Sequence, residues 1–309
     1  MSEHNDAALG QSRCASCGIA ENDDVALKNC TACYLVKYCG IKCQKDHRKQ
    51  HKRACNKRAA ELRDELLFKQ PESSYLGDCP ICVIPLPLDE KKSGMCYSCS
   101  KVICLGCLYA NQMRQLEMRV ELNCPFCREA WICTEEEQVK RNMKRVEMND
   151  PNAICDEGLR LYTNGDFSTA FEYLTKAADL GNAEAHNKLA HMYEIGEGIE
   201  KDTVKETYHL EKAAVAGHTR ARVSLGLEEA TNGSMERAKK HWIIAANLGD
   251  DHAIKVMLKT FKMGLVSKEE LDSALRAHQS AVEATKSPQR VAAPEVINGR
   301  WEIKNLTSR

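Results

Sequence analysis

The sequence lacks an excess of either charge: 44 lysines and arginines balance 44 aspartates and glutamates over 309 residues. No chain-wide basic field is available for nucleic acid or anionic lipid, so dedicated nucleic-acid binding is not expected. It also lacks any run of about 18 apolar residues, so no membrane insertion is expected. The opening stretch, MSEHNDAALGQSRC, has neither a basic region nor an apolar one, which sets the expectation of a soluble cytoplasmic or nuclear protein. No Gly-rich phosphate loop, His-Glu-x2-His helix or Gly-x-Ser-x-Gly turn is present, which removes the usual signatures of nucleotide, zinc-protease and serine-hydrolase chemistry. With 28% charged and 43% hydrophobic residues the composition is otherwise that of a folded chain, long enough for about two or three domains.

Cysteine is what the sequence has in excess. There are 17, and 15 of them lie between Cys14 and Cys127 in tight pairs. Without an export signal such pairs point to metal rather than to disulfides. Fifteen thiolates and one neutral imidazole around four zinc ions would bring the formal charge of the loaded chain to about −7.

Two cysteine-rich modules precede a region that repeats itself. Between the modules, Leu62, Leu66 and Leu67 fall at helical spacing until Gln70-Pro71-Glu72-Ser73-Ser74 interrupts them, which predicts a helical linker over 56–78. Thr134 to Glu137 matches a capping box, with Glu136/Lys140 and Glu137/Arg141 as i,i+4 pairs, and predicts a connecting helix over 134–150. Asp150-Pro151 then reads as an N-cap followed by proline at the first helical position.

The segment Lys176–Ala185 returns in outline at Lys212–Ala221 and again at Ile244–Ala253, so the period is that of stacked helix pairs. Gly181, Gly217 and Gly249 suit the left-handed residue that ends a helix, and the paired alanines before them allow close helix approach. These units resemble Sel-one-like repeats, relatives of the tetratricopeptide family, through Leu189, Tyr193, Gly196 and Gly198 and the Lys-Ala-Ala-x2-Gly close of each pair; the likeness covers 151–265. Ser267 to Glu270 is a second capping box, opening a capping helix within 266–287 that Ser287-Pro288 ends, and 288–309 reads as a flexible tail.

The first module, 14–55, offers Cys14, Cys17, Cys30, Cys33, Cys39, Cys43, His51 and Cys55, enough for two closed tetrahedral zinc sites. His47 is a competing imidazole one turn from His51. The pattern, with Tyr38, Gln44 and Lys52, resembles the MYND finger, whose cross-braced topology implies one site from Cys14, Cys17, Cys39 and Cys43 and another from Cys30, Cys33, His51 and Cys55. Spacing alone leaves that pairing open. Residues 42–58 carry eight lysines and arginines, read as a solvated helical face beside anionic zinc-thiolate sites rather than as a polyanion site.

The second module, 79–133, holds four C-x2-C pairs: Cys79/Cys82, Cys96/Cys99, Cys104/Cys107 and Cys124/Cys127. Eight thiolates need two zinc ions, which gives about four for the chain. The order and the gap before the last pair resemble an all-cysteine RING finger. That resemblance implies interleaved sites, Cys79, Cys82, Cys104 and Cys107 against Cys96, Cys99, Cys124 and Cys127. It further implies a surface for a ubiquitin-conjugating enzyme that includes Ile81, Pro125 and Arg128. Trp131 is expected to pack beside the module, and Cys133 and Cys155 are the leftover thiols.

The expected architecture is multidomain: two small zinc-binding fingers, mostly irregular with short helices and strands, followed by an all-α helical-repeat solenoid. Two functions lead, ahead of a third, membrane-linked quality control, which the Sel-one-like resemblance implies and which would require a membrane partner. One is a RING-type ubiquitin ligase with no nucleophile of its own, whose repeats recruit protein substrates or adaptors; the other is a non-catalytic zinc-finger and helical-repeat scaffold.

Overall fold

The computed structural model describes residues 12–131, 134–293, 296–297 and 300–301. They form two compact bodies divided between Lys69 and Gln70.

In the first body, β1 (Lys28–Asn29) pairs antiparallel with β2 (Lys37–Tyr38), and α1 (Ile41–Leu67) follows. Its small buried cluster consists of Cys14, Leu27, Cys30, Cys33 and Tyr38, so thiols replace much of the hydrocarbon of an ordinary core. A segment this short cannot bury enough apolar surface to hold itself together. α1 runs unbroken past Cys55, so the end of the finger and the helical part of the linker are one helix of 27 residues.

The second body begins with an extended strap from Gln70. A 3-10 turn at Glu90–Lys92 leads into β3 (Ser93–Cys96), which pairs antiparallel with β4 (Lys101–Cys104), and α2 (Leu105–Glu117) starts at once. Leu86, Ile103, Leu105 and Leu108 pack around Cys79, Cys104 and Cys107, with Trp131 against the same cluster. Gly94 lies under that indole, where a methyl group would come 3.3 Å from Cζ2 of Trp131.

Helices then follow one another: α3 (Glu135–Glu147), α4 (Pro151–Thr163), α5 (Phe167–Asp179), α6 (Ala183–Ile195), α7 (Thr203–Val215), α8 (Thr219–Thr231), α9 (Met235–Asn247), α10 (Asp251–Lys262) and α11 (Lys268–Ala284). α4 with α5, α6 with α7 and α8 with α9 are the packed pairs; α5 on α6 and α7 on α8 stack one pair on the next, and α11 closes against α9 and α10.

The recurring Ala-Ala-x2-Gly segment explains how each pair ends. Gly181, Gly217 and Gly249 have φ of 87°, 86° and 87°. Their amides donate to Ala178, Ala214 and Ala246, while the next residues, Asn182, His218 and Asp250, donate to Ala177, Ala213 and Ala245. That pattern satisfies the last carbonyls of the helix. The same three side chains then accept from the amides of Ala185, Ala221 and Ala253 and cap the following helix. One short motif thus stops one helix and starts the next.

Caps elsewhere are formed in part or in full. Asp150 accepts from Asn152 and Ala153 ahead of α4, and the Ser267/Glu270 box closes on both sides. Thr134 accepts from the Glu137 amide, but the Glu137 carboxylate turns to Arg141 at 3.0 Å, so only half of that box exists.

The reading of 288–309 as a flexible tail needs correction at its start. Pro288–Ala292 is a further helix, α12, capped by Ser287 and packed on α2. Val296–Ile297 pairs with Arg300–Trp301 as β5 and β6. The rest of the tail, and Cys133, lie outside the described residues.

Candidate metal centres

Five of the six C-x2-C pairs share one turn. After each second cysteine stands a residue with positive φ: Gly18 at 74°, Tyr34 at 58°, Val83 at 54°, Ser100 at 54° and Arg128 at 61°. Each of these donates its amide to the carbonyl of the first cysteine of its pair, at 2.7–3.0 Å. Only one of the five is a glycine. For Val83, β-branched and 73% exposed, a left-handed backbone is a real cost, held in place by what surrounds it. The sixth pair is built differently: Cys104 is the N-cap of α2, and its sulfur accepts from the Cys107 amide at 3.4 Å.

These turns bring sixteen side chains into four groups of four: Cys14, Cys17, Cys39 and Cys43; Cys30, Cys33, His51 and Cys55; Cys79, Cys82, Cys104 and Cys107; Cys96, Cys99, Cys124 and Cys127. Within each, all ligand atoms lie within 4.8 Å of one another. The interleaving is long-range, for Cys17 meets Cys39 at 3.6 Å, Cys30 meets Cys55 at 3.8 Å, Cys82 meets Cys104 at 3.8 Å and Cys96 meets Cys127 at 3.7 Å. A tetrahedron with zinc–sulfur bonds of about 2.3 Å has sulfur–sulfur edges of about 3.8 Å. The donor set, soft thiolates with one imidazole and, among the described residues, no fifth ligand, fits zinc closed at four ligands.

The electrostatics give a second test of fit. Hydrogen bonds to Cys43 and Cys17 push the Cys39 thiol up to about 12, and burial pushes Cys55 up to about 12 and Cys99 up to about 11. Backbone amides, that of Cys17 first, hold Cys14 down at about 6. Without a cation the clustered thiols cannot all ionise together; a dication removes that conflict. About four zinc sites per chain is the count these groups support.

His47, the competing imidazole, is not a member of any group. Its Nδ1 lies 3.1 Å from the Tyr38 hydroxyl and its ring stacks on His51 at 5.7 Å, while Nε2 of His51 lies 3.1 Å from Cys33 Sγ. Cys155 is buried in the repeat core beside Ile154 and Leu174, and burial pushes its thiol well up, so it is an inert core residue.

Ile81, Pro125 and Arg128 all lie on the C-x2-C turns of the second module and are exposed, Ile81 by 43%. Sequence reasoning passed over two apolar neighbours on the same turns, Val83 and the 41% exposed Phe126. It also passed over Arg290 of α12, whose Nη2 lies 3.3 Å from Cys82 Sγ.

Comparison with known proteins gives two family matches: the MYND finger model at residues 14–55 and the Sel1 repeat model at 154–182, 183–218 and 226–250. No curated protein matches the chain. Among solved structures it is similar to a Sel1 repeat protein from Oxalobacter formigenes, with 24% identity, a TM-score of 0.43, and coverage of 57% of this chain and 71% of that one. The chain therefore carries a MYND finger followed by a Sel1 repeat array, with a second group of paired cysteines between them.

Proposed function

We propose that the protein is a RING-type ubiquitin ligase in which the second module binds a ubiquitin-loaded conjugating enzyme and the repeats recruit substrates or adaptors. The observation that carries this reading is the cross-braced pairing of the second module together with exposed apolar side chains on its turns, Ile81, Val83 and Phe126. Ile81 and Val83 flank Cys82 on one turn and Phe126 stands on another, so both turns present apolar side chains that a partner could cover. In this reading all sixteen clustered residues are structural zinc ligands, and the chain supplies no nucleophile. Catalysis is positioning: the module holds the thioester-linked ubiquitin so that a substrate lysine attacks it. Arg128 serves as the forked donor to carbonyls of both partners, a role arginine fills without deprotonating.

Sel1 repeats generally mediate protein–protein interaction, and an open groove of about 410 Å³ lined by His191, Glu194, Glu206, Arg220 and Glu228 offers the repeats of this chain a place for a partner. The non-catalytic scaffold is favoured by one observation: the conformation of Arg128 is shared by the residues that follow four other C-x2-C pairs, two of them in the first body, and needs no enzyme to explain it. Discharge of ubiquitin from loaded conjugating enzymes by the zinc-loaded full chain separates the two. Stimulation supports the ligase, and its absence across a panel of enzymes supports the scaffold.

A further inference from the structure

Gly106 sits between two members of one metal group, Cys104 and Cys107, in the first turn of α2. A side chain there would strike the backbone of another helix: a methyl group would lie 2.7 Å from the Arg290 nitrogen and 2.8 Å from its Cα. α12 therefore lies so close on α2 that a side chain at 106 would force one of them to shift. Its Arg290, 208 residues along the chain from Cys82, spends its guanidinium there. Nη2 donates to Cys82 Sγ at 3.3 Å and to the Ile84 carbonyl at 2.9 Å, and Nη1 donates to the Pro85 carbonyl at 2.6 Å and to the Thr285 carbonyl at 2.7 Å. Ala293, just beyond the helix, packs on the cluster of Leu86, Ile103 and Leu108.

We infer that the second zinc module is discontinuous in sequence, completed by α12, with Arg290 as the positioning residue that holds the Cys79–Cys82 turn around its zinc ion. Four thiolates on one zinc dication leave two negative charges, and a cationic N–H aimed at one sulfur offsets part of that charge. Groups in this position orient a ligand and lower its tendency to leave, typically by about 10- to 100-fold in metal affinity. The fork does more than a point charge would, because it ties the sulfur to the two carbonyls that follow it in the turn. The same turn carries Ile81 and Val83, so the C-terminal helix and the surface proposed for the conjugating enzyme are mechanically one piece. The inference needs zinc at this group but not ligase activity.

The test is per-cysteine alkylation, read by peptide mass spectrometry in the presence of a zinc chelator, on the full chain with Arg290, Arg290→Ala and Arg290→Lys. Zinc content of the unsubstituted chain is measured first; absence of zinc at this group overturns the metal reading itself, and this inference with it. With zinc present, Arg290→Ala is expected to speed labelling of Cys79, Cys82, Cys104 and Cys107 by about tenfold or more, with Arg290→Lys between. The cysteines of the other three groups, which report whether the chain is folded, keep their rates. Unchanged labelling of the four, or an equal rise in all eight cysteines of the module, overturns the role of Arg290.

Discussion

The Tyr75 ring lies 4.3 Å from the His218 imidazole, centroid to centroid, and the Tyr75 amide donates to the Gly217 carbonyl at 3.2 Å. His218 in turn bonds Glu184 at 2.9 Å, and Asn247 reaches Gln70 at 3.0 Å. The strap from Gln70 to Tyr75 is thus laid across the ends of successive helix pairs, making the second module and the repeats one body. Tyr75→Ala is expected to cost about 2 kcal/mol in urea unfolding of the second body, and to speed amide exchange over 70–76.

Glycine substitutions separate two causes. At Gly181 the φ of 87° is the whole demand, because among the described residues nothing lies within 4 Å of an added methyl group. Gly181→Ala should cost about 1 kcal/mol. At Gly217 the same φ combines with the Ser73 carbonyl only 2.6 Å from the added carbon, so Gly217→Ala should cost more and release the strap as well. Gly226→Ala tests packing alone: the new methyl would meet Cδ1 of Trp242 at 2.6 Å, and about 1 to 3 kcal/mol is expected from thermal melts.

These elements differ in how far the sequence announced them. Gly181, Gly217 and Gly249, the Asp150 and Ser267 caps and the cysteine pairs are short-range patterns, where a fixed spacing meets a fixed backbone need, and all were readable. The strap was readable only as an interruption, since Gln70-Pro71-Glu72 ends a helix but says nothing about where the chain goes. Arg290 was not readable at all: its partners in the second module lie 205 to 208 residues away, and one arginine in a polar tail carries no periodicity. The left-handed residue after five of the pairs was hidden because Tyr34, Val83 and Arg128 are not residues that usually mark it.

Burial, reinforced by the neighbouring Glu206, raises Glu228 to about 7, well above the usual carboxylate range. A carboxyl raised on folding favours the folded state while protonated, so its contribution is complete below the unfolded value near 4.5 and is lost as pH rises through about 7. Glu228→Gln should therefore raise the melting temperature at pH 8 and leave it nearly unchanged at pH 4.5, as followed by helical circular dichroism.

Zinc removal should act locally. Native mass spectrometry is expected to show about four zinc ions, and a chelator should expose the amides of 14–55 and 79–127 to exchange before those of α6 to α9, which contain no cysteine. His51→Ala should lose one ion, whereas His47→Ala should keep all four, because His47 spends its Nδ1 on Tyr38.

The proposed ligase activity is tested most directly by ubiquitin discharge from a panel of loaded conjugating enzymes, with the zinc-loaded full chain and its Arg128→Ala variant. Arg128→Ala keeps a β-carbon at the left-handed position, so the turn itself is not relieved. Discharge is expected to be stimulated, and to fall about tenfold with the substitution, the worth of one charge-assisted hydrogen bond. No stimulation with any enzyme, from folded protein holding its zinc, would contradict the ligase activity and leave the scaffold in its place.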